Sequence, residues 1–337
     1  MLATIIACCA ATVIAAPPPP QAGMSWHNSP GKFTELRFGD LPLLRTMCEP
    51  LDDSTPERHV ATFKVYHHVF SPDGKQLLTD WDPKQLFPHH RGIFYGFSKV
   101  TYDGDKHADI WHCTKGTHQL YKGIEQVEGG QDKARQKMEI AWNGNDNDTF
   151  ATEHRELVVY KKPGGTMIDF VSTLVPTHGT IKLDGDPQHA GLHFRAAKEV
   201  SATTKGETYY LRPDGKGEPG KFRNWDPKQP DSEESKLSIN VPWKGLCMVV
   251  GGKRYTVLYM DHPANPKPAR HSERDYGRFG SYFVTEVTPE KPLTVRYRLW
   301  VQDGEMTVEA AAAKAAEFIE PVKSAVKSKE GLLESRL

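Results

Sequence analysis

The stretch ATEHRELVVYKKPGGTMIDFVSTLV, residues 151–175, decides the fold class. Two runs rich in branched and aromatic residues flank KKPGGT, whose Gly164 and Gly165 are expected to supply the positive φ that a tight hairpin needs. Runs of this kind recur along the chain, bounded by Gly, Pro, Asp and Asn. They predict strands near 33–40, 60–70, 93–102, 118–128, 136–143, 151–162, 166–175, 190–199, 245–251, 254–260, 281–287 and 293–302. So many short strands at close spacing imply an all-β protein, a large antiparallel β-sandwich. The one helix predicted is alanine-rich, from Thr307 to about Lys327, with Glu309 in its first turn and Pro321 expected to kink it.

The expected organisation is a signal peptide over 1–16, a Pro-rich linker over 17–30, a sandwich domain over 31–305 and a helical segment over 306–337. The apolar N-terminal run ends at Ala15-Ala16 and is too short and too weakly apolar for a membrane span, so export is expected. Soluble secretion ranks first and a lipid anchor at Cys8 second. After such processing Cys48, Cys113 and Cys247 remain, without the spacing of a disulfide framework or a thiolate metal site. With 43 basic and 43 acidic residues there is no net field to attract nucleic acid. From Arg212 to Asp231 the chain should be a long surface loop. Its G-x-G-x-x-G at Gly215, Gly217 and Gly220 contains Pro219 and precedes no helix pattern, so it is no dinucleotide turn.

Fifteen histidines stand out, and four clusters also hold Arg, Asp or aromatic residues. QLFPHHRGIFYGFSKVTYDG, residues 85–104, carries His89, His90 and Arg91. DKHADIWHC holds His107, Asp109, Trp111 and His112. In DPQHAGLHFRAAKEV, alternation along a strand over 189–196 puts His189, Gly191, His193 and Arg195 on one face and Ala190, Leu192, Phe194 and Ala196 on the other. YMDHPANPKPARHSERDYGRFG brings Asp261, His262, Asn265, His271, Arg274 and Tyr276. His27, His59, His118, His154 and His178 read as structural, and alternation splits His67 from His68. Repeated His, Arg and Asp beside glycine turns are costly to bury without purpose, so the four clusters are expected to share a polar pocket.

These motifs, in this order, resemble the PmoA-like family, a domain of unknown function in exported bacterial proteins. The resemblance implies a large sandwich similar to the supersandwich of galactose mutarotase-like folds, and a setting of carbohydrate breakdown. Methane oxidation is not implied, since nothing after residue 16 is apolar for even half a membrane span.

The function expected is a carbohydrate-active enzyme of lyase, epimerase or hydrolase type, acting on a small-molecule or oligosaccharide substrate. His89, His90, His193, Asp261, His262 and His271 would be catalytic, with His193 a general acid or base. Arg91, Asp109, Trp111, His189, Arg195, Asn265, Arg274 and Tyr276 would bind substrate, Trp111 and Tyr276 by stacking on a sugar face. No pair of carboxylates of the ordinary glycosidase kind is evident. No cofactor is certain. The first alternative is a metal-dependent enzyme in which three clustered histidines hold a divalent ion; the second is a non-catalytic carbohydrate-binding protein.

Overall fold

A computed structural model describes residues 23–82 and 87–319. Two large antiparallel sheets face each other. The eight-stranded one runs, in spatial order, Met24–Ser29, Phe33–Phe38, Leu41–Met47, Tyr66–Val69, Ile93–Phe97, Ala190–Arg195, Arg278–Tyr282 and Arg270–Glu273. The nine-stranded one runs Gly215–Lys216, Tyr209–Arg212, Trp243–Val250, Lys253–Asp261, Leu293–Asp303, Gly165–Pro176, Thr149–Lys162, Lys133–Asn143 and His118–Glu128. A four-stranded sheet holds Thr285–Val287, Ile181–Asp184, Lys99–Tyr102 and Lys106–Ala108.

Alternation explains the main core. Ala190, Leu192, Phe194 and Ala196 point inward to one apolar cluster with Tyr95, Phe97, Phe170, Tyr259 and Tyr297, so the chain is an all-β sandwich. A buried polar cluster crosses this interior. Arg155 pairs with Glu153 and donates to His67 Nε2, while the Trp142 indole donates to Glu153. The C-terminal helix, described over 308–319, lays Ala311 and Ala315 on the far face of the nine-stranded sheet beside Trp243, Leu258 and Trp300. Pro321, Lys327, the expected signal peptide and Cys8 lie outside the described residues. Cys48, Cys113 and Cys247 are free and buried.

Several local expectations change. Residues 60–70 are not one strand: Pro56–Thr62 is a helix, because the Thr55 hydroxyl caps Arg58 N and Pro56 sits in its first turn. The strand itself is only Tyr66–Val69. The end of the expected 17–30 linker is strand Met24–Ser29, paired residue for residue with Phe33–Phe38. Leu41–Met47, masked by its proline, also joins the sheet: Pro42 lies opposite Arg37 where the register shifts, a place where a missing amide is tolerated. In the hairpin that joins Thr149–Lys162 to Gly165–Pro176, only Gly164 takes positive φ (+82°). Gly165 is needed for closeness, since a Cβ there would meet Val301 O at 2.4 Å.

Candidate functional site

The outer face of the eight-stranded sheet carries the site. Register puts Phe94, His193, Gly280 and Ser272 in one row across four strands, facing outward. The neighbouring row, Tyr95, Leu192, Ser281 and His271, faces the core. The fourth cluster is thereby divided. His271 is wholly buried against Tyr259, on the opposite side of the sheet from His193. Asp261 and Asn265 form a structural staple: Asn265 donates to Asp261 Oδ1 (2.7 Å) and exchanges hydrogen bonds with the Arg296 backbone. His262 packs edge-on against Phe318 of the C-terminal helix. None of these four reaches the outer face with its functional atoms. Only Arg274 and Tyr276, on the turn before Arg278, join the other clusters.

Two further expectations are corrected. Arg91 is a structural clamp, donating to the carbonyls of Pro88, Val60 and Ala61 and lying over the rings of Phe63 and Trp81. It thereby caps the C-terminal end of the Pro56–Thr62 helix. Trp111 has no exposed face to offer a sugar: it is fully buried, packed on Phe94 and edge-on to His193. His107 is exposed, beside Thr101.

The remaining groups converge. A Gly96–Gly191 pair leaves a bare patch on the sheet, where a Cβ on Gly96 would come within 2.7 Å of Ile110 O. The Asp109–Cys113 turn settles there, with Ile110 N bonded to Phe97 O. Asp109 Oδ1 accepts from the Trp111 and His112 amides, and its Oδ2 from His112 Nδ1 at 2.8 Å. The turn before Ala190 repeats the device, His189 Nδ1 donating to both oxygens of Asp186 at 3.0 and 2.9 Å. Each carboxylate fixes one ring nitrogen as the donor and frees Nε2.

His89 completes a triangle. Its ring centre lies 4.6 Å from that of His112 and 5.6 Å from that of His189, and the latter two are 4.7 Å apart. One nitrogen from each of the three lies within 4.8 Å of the others. His89 Nε2 is buried without a hydrogen-bond partner. Burial, then the charge of Lys64, pull His89 down to about 2, so its imidazole is neutral and its lone pair available. His90 stacks on His189 with rings 13° apart. Lys64, unforeseen from sequence, is buried over the Phe94 ring (3.7 Å) and donates to the carbonyls of His89 and Trp111, tying two of the contributing segments together.

Beneath the triangle, Arg278 Nη1 donates to His193 Nδ1 at 3.1 Å. An arginine can only donate, so that nitrogen is unprotonated and the His193 proton sits on Nε2, which is buried and unpartnered. Burial, then Arg278, hold the ring well below the usual histidine range. With one nitrogen occupied and the other carrying hydrogen, His193 is a hydrogen-bond donor and not the general base its sequence suggests. Arg195 lies over the Tyr276 ring at 4.7 Å and donates to the Tyr276 carbonyl. Beside His189 opens a hollow of about 510 Å³, lined by Gln188, Asn224, Trp225, Asp226, Ser272 and Arg274 among others.

His112, Asp186, Arg278 and Lys64 were outside the expected set. For the first two a signal existed: DIWH and DPQH share the spacing Asp-x-x-His.

Residues 34–316 match a family of unknown function, DUF6807, and not one under the PmoA-like name. No curated protein matches the sequence. Among solved structures, a galactose mutarotase-like protein from Lactobacillus casei is 8% identical with a TM-score of 0.42, over 83% of this chain and 100% of that one. A galactose mutarotase related enzyme from Lactobacillus acidophilus is 9% identical at 0.35, over 72% and 95%. A GH36 alpha-galactosidase from Geobacillus stearothermophilus is 10% identical at 0.39, covering 85% of this chain and 40% of that enzyme. At these identities and scores, function has to be argued from the pocket itself.

Proposed function

We propose that this chain, which belongs to the DUF6807 family of unknown function, is a metal-dependent enzyme that binds a carbohydrate in the hollow beside His189. The observation that carries the reading is the triangle of His89, His112 and His189, with Asp109 and Asp186 behind two of its members. Three imidazoles, two of them with a carboxylate on the remoter nitrogen, are a ligand set for zinc or a similar divalent ion, with coordination positions left for substrate. The fit is close. If the three nitrogens stood a full 4.8 Å apart, a central point would lie about 2.8 Å from each, so each ring would need to advance by about 0.7 Å to reach an ordinary bond length.

When bound, an ion there would supply Lewis acidity to a substrate oxygen. The protein's own groups do the rest. Trp225 offers an apolar face at the wall, while Asn224, Gln188, Asp226 and Ser272 offer hydroxyl partners, a combination suited to a sugar. His193 Nε2–H is a fixed donor for oxygen that gains charge, and Lys64 keeps the His89 and Trp111 segments in register. Export remains part of the proposal, on the N-terminal apolar run; N-terminal sequencing of the mature protein tests it.

The decisive experiment is elemental analysis of protein purified without a chelating tag. About one equivalent of a transition metal is expected, falling below a tenth in His112→Ala and His189→Ala variants that still unfold cooperatively. Less than a tenth of an equivalent in the wild type, before and after incubation with zinc, would refute the metal reading. A plain sugar-binding protein would instead keep its affinity in both variants.

A further inference from the structure

Behind Ser272, which lines the hollow, lies a buried positive charge with no ion pair among the described residues. Arg278 is fully buried, and among the described residues it makes no ion pair: Nη1 goes to His193, Nη2 to Ser272 Oγ (3.1 Å), and Nε has no partner. Tyr276 lies beside it, offering a hydroxyl and no carboxylate. The nearest buried carboxylate on these strands, Glu273, is already shared by Arg212 and Lys244. Arg195 has an unpartnered Nε as well. At the wall, Arg274 spends one nitrogen on Asn224 Oδ1 and the Glu273 carbonyl. That same Asn224 oxygen also accepts from Ser272 Oγ and Glu273 N, so donors crowd onto a single neutral acceptor.

A desolvated guanidinium without a counter-charge is costly, and a ligand oxyanion is what relieves it. Among the described residues no acid of the hollow hydrogen-bonds to Arg274 or Arg278, although the field of Arg278 reaches Asp186. Asp186 is bound to His189, Glu234 accepts Asn224 N, and Asp226 accepts Lys228 N.

We infer that the Arg274–Ser272–Arg278 end of the hollow is a subsite for an oxyanion, and that the substrate is an acidic sugar, its carboxylate held there while the rest lies toward His189. This deepens the carbohydrate reading of the same hollow and does not require the metal. Arg274 meets the anion directly. Arg278 sits behind Ser272 and beside His193, contributing charge and fixing the His193 proton on Nε2.

The test is calorimetric titration of the full mature protein with galacturonate and glucuronate against galactose and glucose, with and without prior chelation. Galactose 6-sulfate is the arm that separates a sulfate ester from a carboxylate. Uronates should bind at least ten-fold tighter than their neutral parents, with the preference weakening as salt rises. Arg274→Gln, which changes a half-exposed side chain, should abolish that preference, lowering uronate affinity at least ten-fold more than neutral-sugar affinity; Arg278→Gln should act likewise where it folds. A preference that survives chelation upholds the subsite even if the metal reading falls. Equal affinity for acidic and neutral sugars, or no binding of any oxyanionic probe, would overturn it, as would an undiminished preference in Arg274→Gln.

Discussion

Replacing Asp186 by Asn probes the metal triangle with the least collateral damage. Both Asp186 oxygens accept the His189 Nδ1 proton, at 3.0 and 2.9 Å, and Oδ1 also accepts Gln188 N. Asparagine keeps the shape and can keep the Gln188 bond, but its single oxygen cannot bracket the ring and its amide can turn a donor toward Nδ1. The tautomer that frees Nε2 is then no longer enforced, and the ligand loses the basicity a carboxylate lends it. Losses of this kind cost about 10–100-fold in metal affinity, or about 1.4–2.7 kcal/mol. The assay is competition for zinc against a chromogenic chelator, alongside thermal unfolding of the metal-free proteins. Metal-free stability should change little, since Asp186 sits in a partly exposed turn. Asp109→Asn is a poorer probe because Asp109 also holds two turn amides. An affinity for zinc within two-fold of wild type in Asp186→Asn would refute the reasoning that Asp186 orients a ligand.

Other consequences can be measured separately. Gly96→Ala should press on Ile110 O, displace the turn bearing His112 and weaken metal binding more than stability; unchanged zinc affinity would show that the turn does not depend on the bare patch. Arg155→Met leaves Glu153 buried without its counter-ion, costing about 3–5 kcal/mol by denaturant unfolding, whereas Arg155→Met with Glu153→Leu should recover much of the loss; equal losses would count against a buried-charge penalty. His68 is pulled down to about 4, chiefly by burial and then by Arg45 and Arg91. The unfolded chain therefore takes up a proton that the folded state refuses once pH drops below about 6.5, and stability falls from there toward pH 4 at up to about 1.4 kcal/mol per pH unit. Above that window nothing is lost. His68→Gln should flatten this part of the profile, and identical slopes in the two proteins would disprove the assignment.

Much of the architecture is written in local patterns. The alternation in AGLHFRA sends Leu192 and Phe194 to the core and His193 and Arg195 outward, and the paired runs about KKPGGT form their hairpin. Three of the four histidine clusters meet for that reason. The fourth separates because RHSE is itself a strand, so His271 and Ser272 must face opposite ways; proximity in sequence concealed this, though the same two-residue period would have exposed it. Arg91 could not be assigned from sequence, because its partners are the end of a helix that a β-like run disguised. The His193 tautomer depends on Arg278, far away in the chain and adjacent only through pairing of neighbouring strands. His112 was legible in principle, through the repeated Asp-x-x-His spacing.

Each corner of the histidine triangle is borrowed from a different stretch of polypeptide, and unfolding scatters them. Any cation grasped there would act as a removable cross-link that closes two large rings of chain, so ligation energy would reappear as resistance to heat and chelators would soften the molecule. The turns on the outer face of the eight-stranded sheet would then open only together with the interior behind them.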